Sequence, residues 1–279
     1  MYLLNEVPQM LIFKSINKLN KEVNFRAKIG FVPTMGCLHK GHISLIKSSK
    51  KICKKTLVSI FVNPSQFNKY SDLRNYPKNL KKDLKILKKH KVDYLLLPNT
   101  KEIYKNKKDR KIKLSKNDKI LCAKSRPGHF EGVLAVINQF LCNFKPKYIF
   151  FGEKDYQQLF LIRNFVKKKF KTKVVSCSTV RDNNKIALSS RNILLSKNDI
   201  KKSSLIAKLL LKFKIDLKRN ILVKKKIKTL FFKINNLKNI KVEYLEIRNK
   251  KNLLKNYNKN NLKIFLAYYN KKVRLIDNY

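Results

Sequence analysis

Short segments at residues 28–32, 56–62, 92–97, 148–151 and 173–179 read as strands along the first part of the chain, and stretches with helical spacing separate them. The apolar run 56–62 reads as a buried strand of parallel type. Leu80, Leu84 and Leu87 keep helical spacing up to His90, and residues 43 onward, 132–143 and those after Asp155 read as further helices. Strands that alternate with amphipathic helices bury their faces as a doubly wound α/β parallel sheet with right-handed crossovers. Residues 10–19 are expected to add a short helix beside the first strand. After the last sheet strand comes an Asp182-Asn183-Asn184 turn, and a domain boundary is expected there, giving domains 1–179 and 180–279. The second reads as helices to about residue 237, a strand at 242–247 and a hairpin over 262–276 turning at Asn270, a small α+β cap.

The first strand feeds the sequence Pro33-Thr34-Met35-Gly36-Cys37-Leu38-His39-Lys40-Gly41-His42. Strand, glycine-bearing turn and helix start follow one another here. The first N–H groups of a helix lack intrahelical partners and the macrodipole favours an anion, so His39 and His42 stand where imidazole donors meet phosphate oxygens. An H-x-x-H pair can also hold zinc, but no nearby Cys pair or acidic residue completes a set of three or four ligands.

Other candidates stand at strand ends, where open α/β sheets place ligands. The run 56–62 ends in Asn63-Pro64-Ser65-Gln66-Phe67, and the run 148–151 ends in Gly152-Glu153-Lys154-Asp155. Lys154, next to a helix start, is expected to point into the same crevice as the histidines. Asp155 and Gln158 share a helical face three residues apart, while Leu159 and Ile162 turn to the core. The plain alternatives are a helix N-cap for Asp155, a solvated side chain for Gln158 and a polar turn for Ser189-Ser190-Arg191, although that turn carries two hydroxyls and a guanidinium suited to phosphate.

Formal net charge is +50, from 67 Lys and Arg against 17 Asp and Glu. The basic residues are spread over nearly every segment together with Asn and Ile, which reads as compositional bias rather than a dedicated nucleic-acid groove. Five cysteines form no C-x-x-C pair and fit a reducing compartment. Asn5, Glu6 and Pro8 interrupt the opening residues where a signal peptide needs an apolar core, and no run reaches the length of a membrane span. A cytoplasmic location without membrane or specific nucleic-acid partners is expected.

His39-Lys40-Gly41-His42 resembles the HxGH signature of the nucleotidyltransferase superfamily, and residues 32–42 resemble the ATP loop of the pantothenate synthetase family. Residues 63–67, 125–133, 151–158 and 188–192 resemble that family in the same order. The resemblance implies a Rossmann-like sheet domain binding nucleotide and pantoate, a smaller C-terminal domain, and ATP-dependent ligation of (R)-pantoate and β-alanine through a pantoyl adenylate. By it, Met35, Gly36, Cys37, Leu38, His39, Lys40, Gly41 and His42 line ATP, as do Gly152, Glu153, Lys154 and Asp155. Val180, Leu188, Ser189, Ser190 and Arg191 complete the nucleotide site. His42, His39, Lys154 and Arg191 are the expected catalytic groups, with His42 the proton donor. Gln66 is expected to hold pantoate and then β-alanine, and Gln158 pantoate. Magnesium is expected with ATP, Asp83 being its candidate outer-sphere or water-mediated ligand, or else a solvated helix carboxylate. The family also implies a homodimer. Lys40, where an acidic residue is common, and Ser65, where Met or Thr is common, depart from the pattern. Another nucleotidyltransferase of the same fold would share the HxGH residues without the strings at 63–67 and 125–133.

So large a charge, with too few carboxylates to pair it, repels itself in the compact state, and salt screens it with a Debye length of about 8 Å at 0.15 M. The melting temperature of the unliganded protein is expected to rise as sodium chloride goes from about 0.01 M to 0.15 M. A flat or falling profile in a thermal shift measurement would mean that repulsion does not limit stability.

Overall fold

The computed structural model describes residues 9–105, 112–218, 223–255 and 261–279. The chain divides into two units, one holding the residues up to Glu153 together with Gln158–Ser178, the other Lys154–Gln157 and Thr179–Tyr279. Among the described residues no helix is long and apolar enough to cross a membrane.

The first unit is built on six strands, β1 (Leu11–Phe13), β2 (Ile29–Thr34), β3 (Lys55–Ile60), β4 (Tyr94–Leu96), β5 (Tyr148–Gly152) and β6 (Lys173–Cys177). Its helices are α1 (Ile16–Glu22), α2 (Lys40–Ile52), α3 (Tyr70–Arg74), α4 (Leu80–Lys89), α5 (Thr100–Ile103), α6 (Cys122–Ser125) and α7 (His129–Asn143). Helix α8 (Tyr156–Lys169) begins with two residues assigned to the second unit and continues in the first. The sheet order is β1-β4-β3-β2-β5-β6 and every pairing is parallel. The expected α/β parallel sheet is therefore present.

Consecutive residues of β2 show why both faces are covered. Phe31 packs edge-on against Phe140 and Phe144 at 5.3 and 5.0 Å between ring centroids. Val32 turns the other way, into a cluster with Leu45 and Ile46 of α2, Leu87 of α4, Leu95 of β4 and Phe150 of β5. Burying an aliphatic or aromatic side chain of this kind contributes roughly 1.5–3 kcal/mol. The chain order reverses between β2 and β5, which lie side by side in the sheet. The loops after those two strands start at that switch point, where sheets of this kind open a crevice.

One expected element changes type. Residues 10–19 are not a continuous helix: Leu11–Phe13 pairs with β4 as an edge strand, and α1 starts only at Ile16. Ser15 makes the break, its extended backbone and hydroxyl accepting from the amides of Asn17 and Lys18 as a helix cap.

The second unit packs α9 (Lys197–Lys218) and α10 (Val223–Asn235) on an antiparallel sheet of β7 (Ile240–Asn249), β8 (Leu262–Asn270) and β9 (Val273–Asn278). Ile206, Leu210 and Phe213 of α9 and Ile234 of α10 meet Ile247, Leu266 and Leu275 of the sheet in one core. Strands β8 and β9 form the expected hairpin at Asn270.

Close packing also places the loop after β3. The loop's 3-10 turn, Pro64–Gln66, lies on the first turns of α7, and a Cβ on Gly132 would stand 2.2 Å from the Ser65 carbonyl oxygen and 2.8 Å from the Gln66 nitrogen. Alanine is intrinsically better in a helix by about 1 kcal/mol, but overlap with backbone is the larger effect. Gly132→Ala is expected to destabilise the first unit by about 1–3 kcal/mol, read as a lower urea midpoint. An unchanged midpoint would contradict this packing.

Candidate active site

The loop between β2 and α2 makes an unusual pair of backbone turns. Gly36 and Cys37 both have positive φ, 81° and 50°, and Gly36 tolerates this because it lacks a Cβ. The turn aims successive N–H groups at one point, where the Asp83 carboxylate of α4 sits. Cys37 donates to Oδ2 at 2.8 Å and Leu38 to Oδ1 at 2.7 Å. Asp83 is only 1% exposed and lies in the first turn of α4, where the helix dipole favours a negative group. Burial pushes its carboxyl up, and the amides of Leu38 and Cys37 pull it back down. Farther up the turn, the Thr34 hydroxyl donates to the Ser59 carbonyl and accepts from Gly36 N–H.

Asp83 is therefore not a solvated helix carboxylate: it is buried, and both of its oxygens accept from amides of the loop between β2 and α2, which holds that loop in place. Cys37 contributes backbone in the same way: burial first, then the Asp83 charge, push its thiol up, keeping it protonated at neutral pH.

With the loop fixed, α2 starts at a reciprocal histidine cap. Nδ1 of His39 accepts from Gly41 N–H at 3.1 Å, and Nδ1 of His42 accepts from His39 N–H at 3.3 Å. The ring centroids are 4.1 Å apart. An Nδ1 that accepts carries no proton, so in each neutral ring the proton is assigned to Nε2. Two Nε2–H donors at a helix N-terminus suit an oxyanion. A zinc ligand would need the Nε2 lone pair, which this tautomer does not offer.

The loop after β3 adds a second group of residues. Asn63, 1% exposed, caps the Pro64–Gln66 turn through Ser65 N–H, and its Nδ2 reaches both Gln66 Oε1 at 3.2 Å and the Gly132 carbonyl at 3.0 Å. Tyr104 donates its hydroxyl to Asn63 Oδ1 at 2.9 Å. Gln66 Nε2 meets the Met35 sulfur at 3.0 Å, so the loops after β2 and β3 converge. His129 Nδ1 donates to the Gln66 carbonyl at 2.7 Å and its Nε2 accepts from Arg126 at 2.9 Å. A carbonyl only accepts and a guanidinium only donates, which assigns His129 a single neutral tautomer.

The residues predicted from sequence fall into two sets. Met35, Gly36, Cys37, Leu38, His39, Lys40, Gly41, His42, Gln66, Gly152, Glu153 and Gln158 belong to the first unit, while Lys154, Asp155, Val180, Leu188, Ser189, Ser190 and Arg191 belong to the second. Gln158 is half-buried on α8, with Leu159 and Ile162 in the core as expected. Lys154 pairs with Asp155 at 3.4 Å. Val180 accepts from Leu188 N–H at 3.0 Å across a small antiparallel turn bridged at Arg181 and Ala187. Ser189 then caps the 3-10 turn Ser190–Leu194 through Arg191 N–H.

Asn63, Tyr104, Arg126 and His129 have supporting roles that the sequence did not assign. Asn63 before a proline was a readable cap signal, and Arg126 and His129 stand three apart at a helix start. Tyr104 gave no signal, because its partner lies 41 residues away.

Comparison with known proteins bears on this arrangement. The profile of the family described as Pantoate-beta-alanine ligase matches residues 11–279. A pantothenate synthetase of Leptospira biflexa is 40% identical over 285 residues, covering 100% of this chain and 98% of that protein. One from Francisella philomiragia is 42% identical, with 97% of each covered. Among solved structures, the pantoate-beta-alanine ligase of Francisella tularensis, complexed with beta-gamma ATP and beta-alanine, shares 39% identity at a TM-score of 0.83 and covers 97% of each chain. The pantothenate synthetase of Thermus thermophilus superposes with a TM-score of 0.90 at 30% identity, covering 97% of this chain and 99% of its own. With its parallel sheet, its histidine-capped helix and these matches over nearly its full length, the chain belongs to the pantoate-beta-alanine ligase family.

Proposed function

We propose that this protein uses ATP to join pantoate and β-alanine in two steps. An oxygen of the pantoate carboxylate attacks the α-phosphorus of ATP, the bond to pyrophosphate breaks, and pantoyl adenylate forms. The β-alanine amine then attacks the acyl carbon, loses a proton and displaces AMP, leaving an amide. The observation that carries this reading is the pair of Nε2–H donors on His39 and His42, fixed by reciprocal bonds to backbone amides. Donors already oriented before the reaction stabilise charge that shifts to a leaving pyrophosphate without reorganising.

In this reading Lys154, Ser190 and Arg191 add cationic and hydroxyl donors to the phosphates, and Met35, Gly41, Val180 and Leu188 line the nucleotide. Gln66 holds pantoate and then β-alanine, and Gln158 holds pantoate. The network from Tyr104 through Asn63 fixes the Gln66 amide, so its oxygen and nitrogen face defined directions. Magnesium arrives bound to ATP, as part of the substrate. Among the described residues no group of three or more His, Cys, Asp and Glu converges, and Asp83 faces loop amides. Magnesium commonly binds through phosphate oxygens and water in such cases. A homodimer and a cytoplasmic location belong to the same reading through the family resemblance.

Two outcomes test it. His42→Ala should lower pantoate-dependent ATP–pyrophosphate exchange by about 10²–10³, with circular dichroism confirming a folded variant; near-normal exchange would remove His42 from the chemistry. Asp83→Asn turns an N–H₂ group towards one of the two loop amides, an unsatisfied contact that costs about 1–3 kcal/mol. Its KM for ATP should rise while the magnesium dependence at saturating ATP stays as in the parent protein. A shifted magnesium requirement at unchanged stability would instead make Asp83 a ligand.

A further inference from the structure

Two segments of the second unit carry predicted nucleotide contacts: Lys154–Gln157, a 3-10 turn that runs into the start of α8, and the turn from Val180 to Arg191. Neither is part of a sheet. Both are tied to the same short stretch, Asp277–Asn278–Tyr279.

That stretch is firmly based. Strand β9 pairs with β8 at Leu266↔Asp277 and Phe265↔Asn278, and Tyr279 exchanges two backbone hydrogen bonds with Ile264, each 3.0 Å. Asp277, Asn278 and Tyr279 are 9%, 5% and 6% exposed, and Tyr279 is part of the unit's apolar core. From this base the Asn278 side chain donates Nδ2–H to the Lys154 carbonyl at 2.7 Å. The next residue of that segment, past Asp155, is also anchored. Tyr156 donates its hydroxyl to the Lys250 carbonyl at 3.1 Å and packs on Phe265 of β8 at 5.9 Å between centroids.

Arg181 secures the other segment, one residue after Val180. Its guanidinium grips Asp277 through both nitrogens, at 2.7 and 2.8 Å, and donates to the Tyr279 hydroxyl at 2.7 Å and the Asn278 carbonyl at 3.1 Å. Its Cζ lies 4.0 Å from the Tyr279 ring centroid, and it closes its own turn by donating to the Lys185 carbonyl at 3.0 Å. A bidentate, largely desolvated Arg–carboxylate pair of this kind is geometrically specific. Asn278 thus touches both segments, one through its side chain and one through its carbonyl.

We propose that Arg181 and Asn278 are positioning residues for ATP, the end of β9 acting as a common anchor that sets the backbone of both nucleotide-contact segments. This rests on the reading above that Lys154 and residues 180–191 meet the nucleotide. Asn278→Asp is nearly isosteric but removes the donor and sets a carboxylate against the Lys154 carbonyl. Arg181→Lys keeps the charge and loses the fork.

Both variants are to be assayed by pantoate-dependent ATP–pyrophosphate exchange beside the parent protein, with hydrogen–deuterium exchange of the unliganded proteins. The expected result is a KM for ATP raised about tenfold, roughly the weight of one well-formed polar contact, with the KM for pantoate within twofold of the parent. Amides of residues 153–157 in Asn278→Asp, and of 181–191 in Arg181→Lys, should exchange faster while β7 stays protected. Unchanged KM for ATP with unchanged amide exchange would overturn the anchor alone, and so would a general loss of protection with both KM values rising together. No exchange activity in the parent protein would overturn the functional reading and the proposal with it.

Discussion

One buried carboxylate decides the shape of the loop between β2 and α2. Without Asp83, the Cys37 and Leu38 amides would be buried without acceptors, and each unsatisfied group of that kind costs about 1–3 kcal/mol. The left-handed backbone at Gly36 and Cys37, itself unfavourable for a residue with a Cβ, is retained because the two hydrogen bonds it permits outweigh it. The histidine cap depends on this fixed turn. His39 can be the N-cap of α2, and His42 can return its Nδ1 to the His39 amide, only when the chain enters the helix from that direction. A single ionised side chain, charged at some desolvation cost, thus leads through backbone geometry to two imidazoles with defined tautomers.

The same logic of buried polar groups recurs elsewhere. Tyr104, Asn63 and Gln66 form a chain of hydrogen bonds beneath the loop after β3, and His129 with Arg126 fixes the Gln66 carbonyl from the other side. In the second unit Arg181 and Asp277 do this for the turn after Val180. In each case a residue or turn expected to meet substrate is held by a partner that is buried or half-buried. Such networks are favourable only when every member is satisfied, which is why they place side chains with little freedom.

Much of this was readable from the sequence, for identifiable reasons. Parallel strands covered on both faces are unbroken apolar runs, so β2, β3 and β5 stood out, and the His39 and His42 pair announced itself by its place after strand and glycine. The edge strand β1 did not. At three residues, with Leu11 and Ile12 roughly half exposed, it lacks the pattern of a buried strand, and Ser15 was the only local sign that a helix starts late. Asp83 was invisible for a different reason: its sequence neighbourhood is that of any amphipathic helix, and its partners lie 46 and 45 residues away. Nor could a linear reading assign Lys154–Gln157 to the second unit, because the contact that holds Lys154 spans 124 residues.

Attack by a carboxylate on the α-phosphorus of ATP at the histidine-capped helix start is tested most directly by following the carboxylate oxygen itself. Pantoate labelled with ¹⁸O in its carboxylate should, on turnover with magnesium-ATP and β-alanine, deliver one labelled oxygen to the phosphate of AMP and none to pyrophosphate, as read by mass spectrometry. Label found in inorganic phosphate, or AMP formed without label, would contradict the adenylate chemistry assigned to this site.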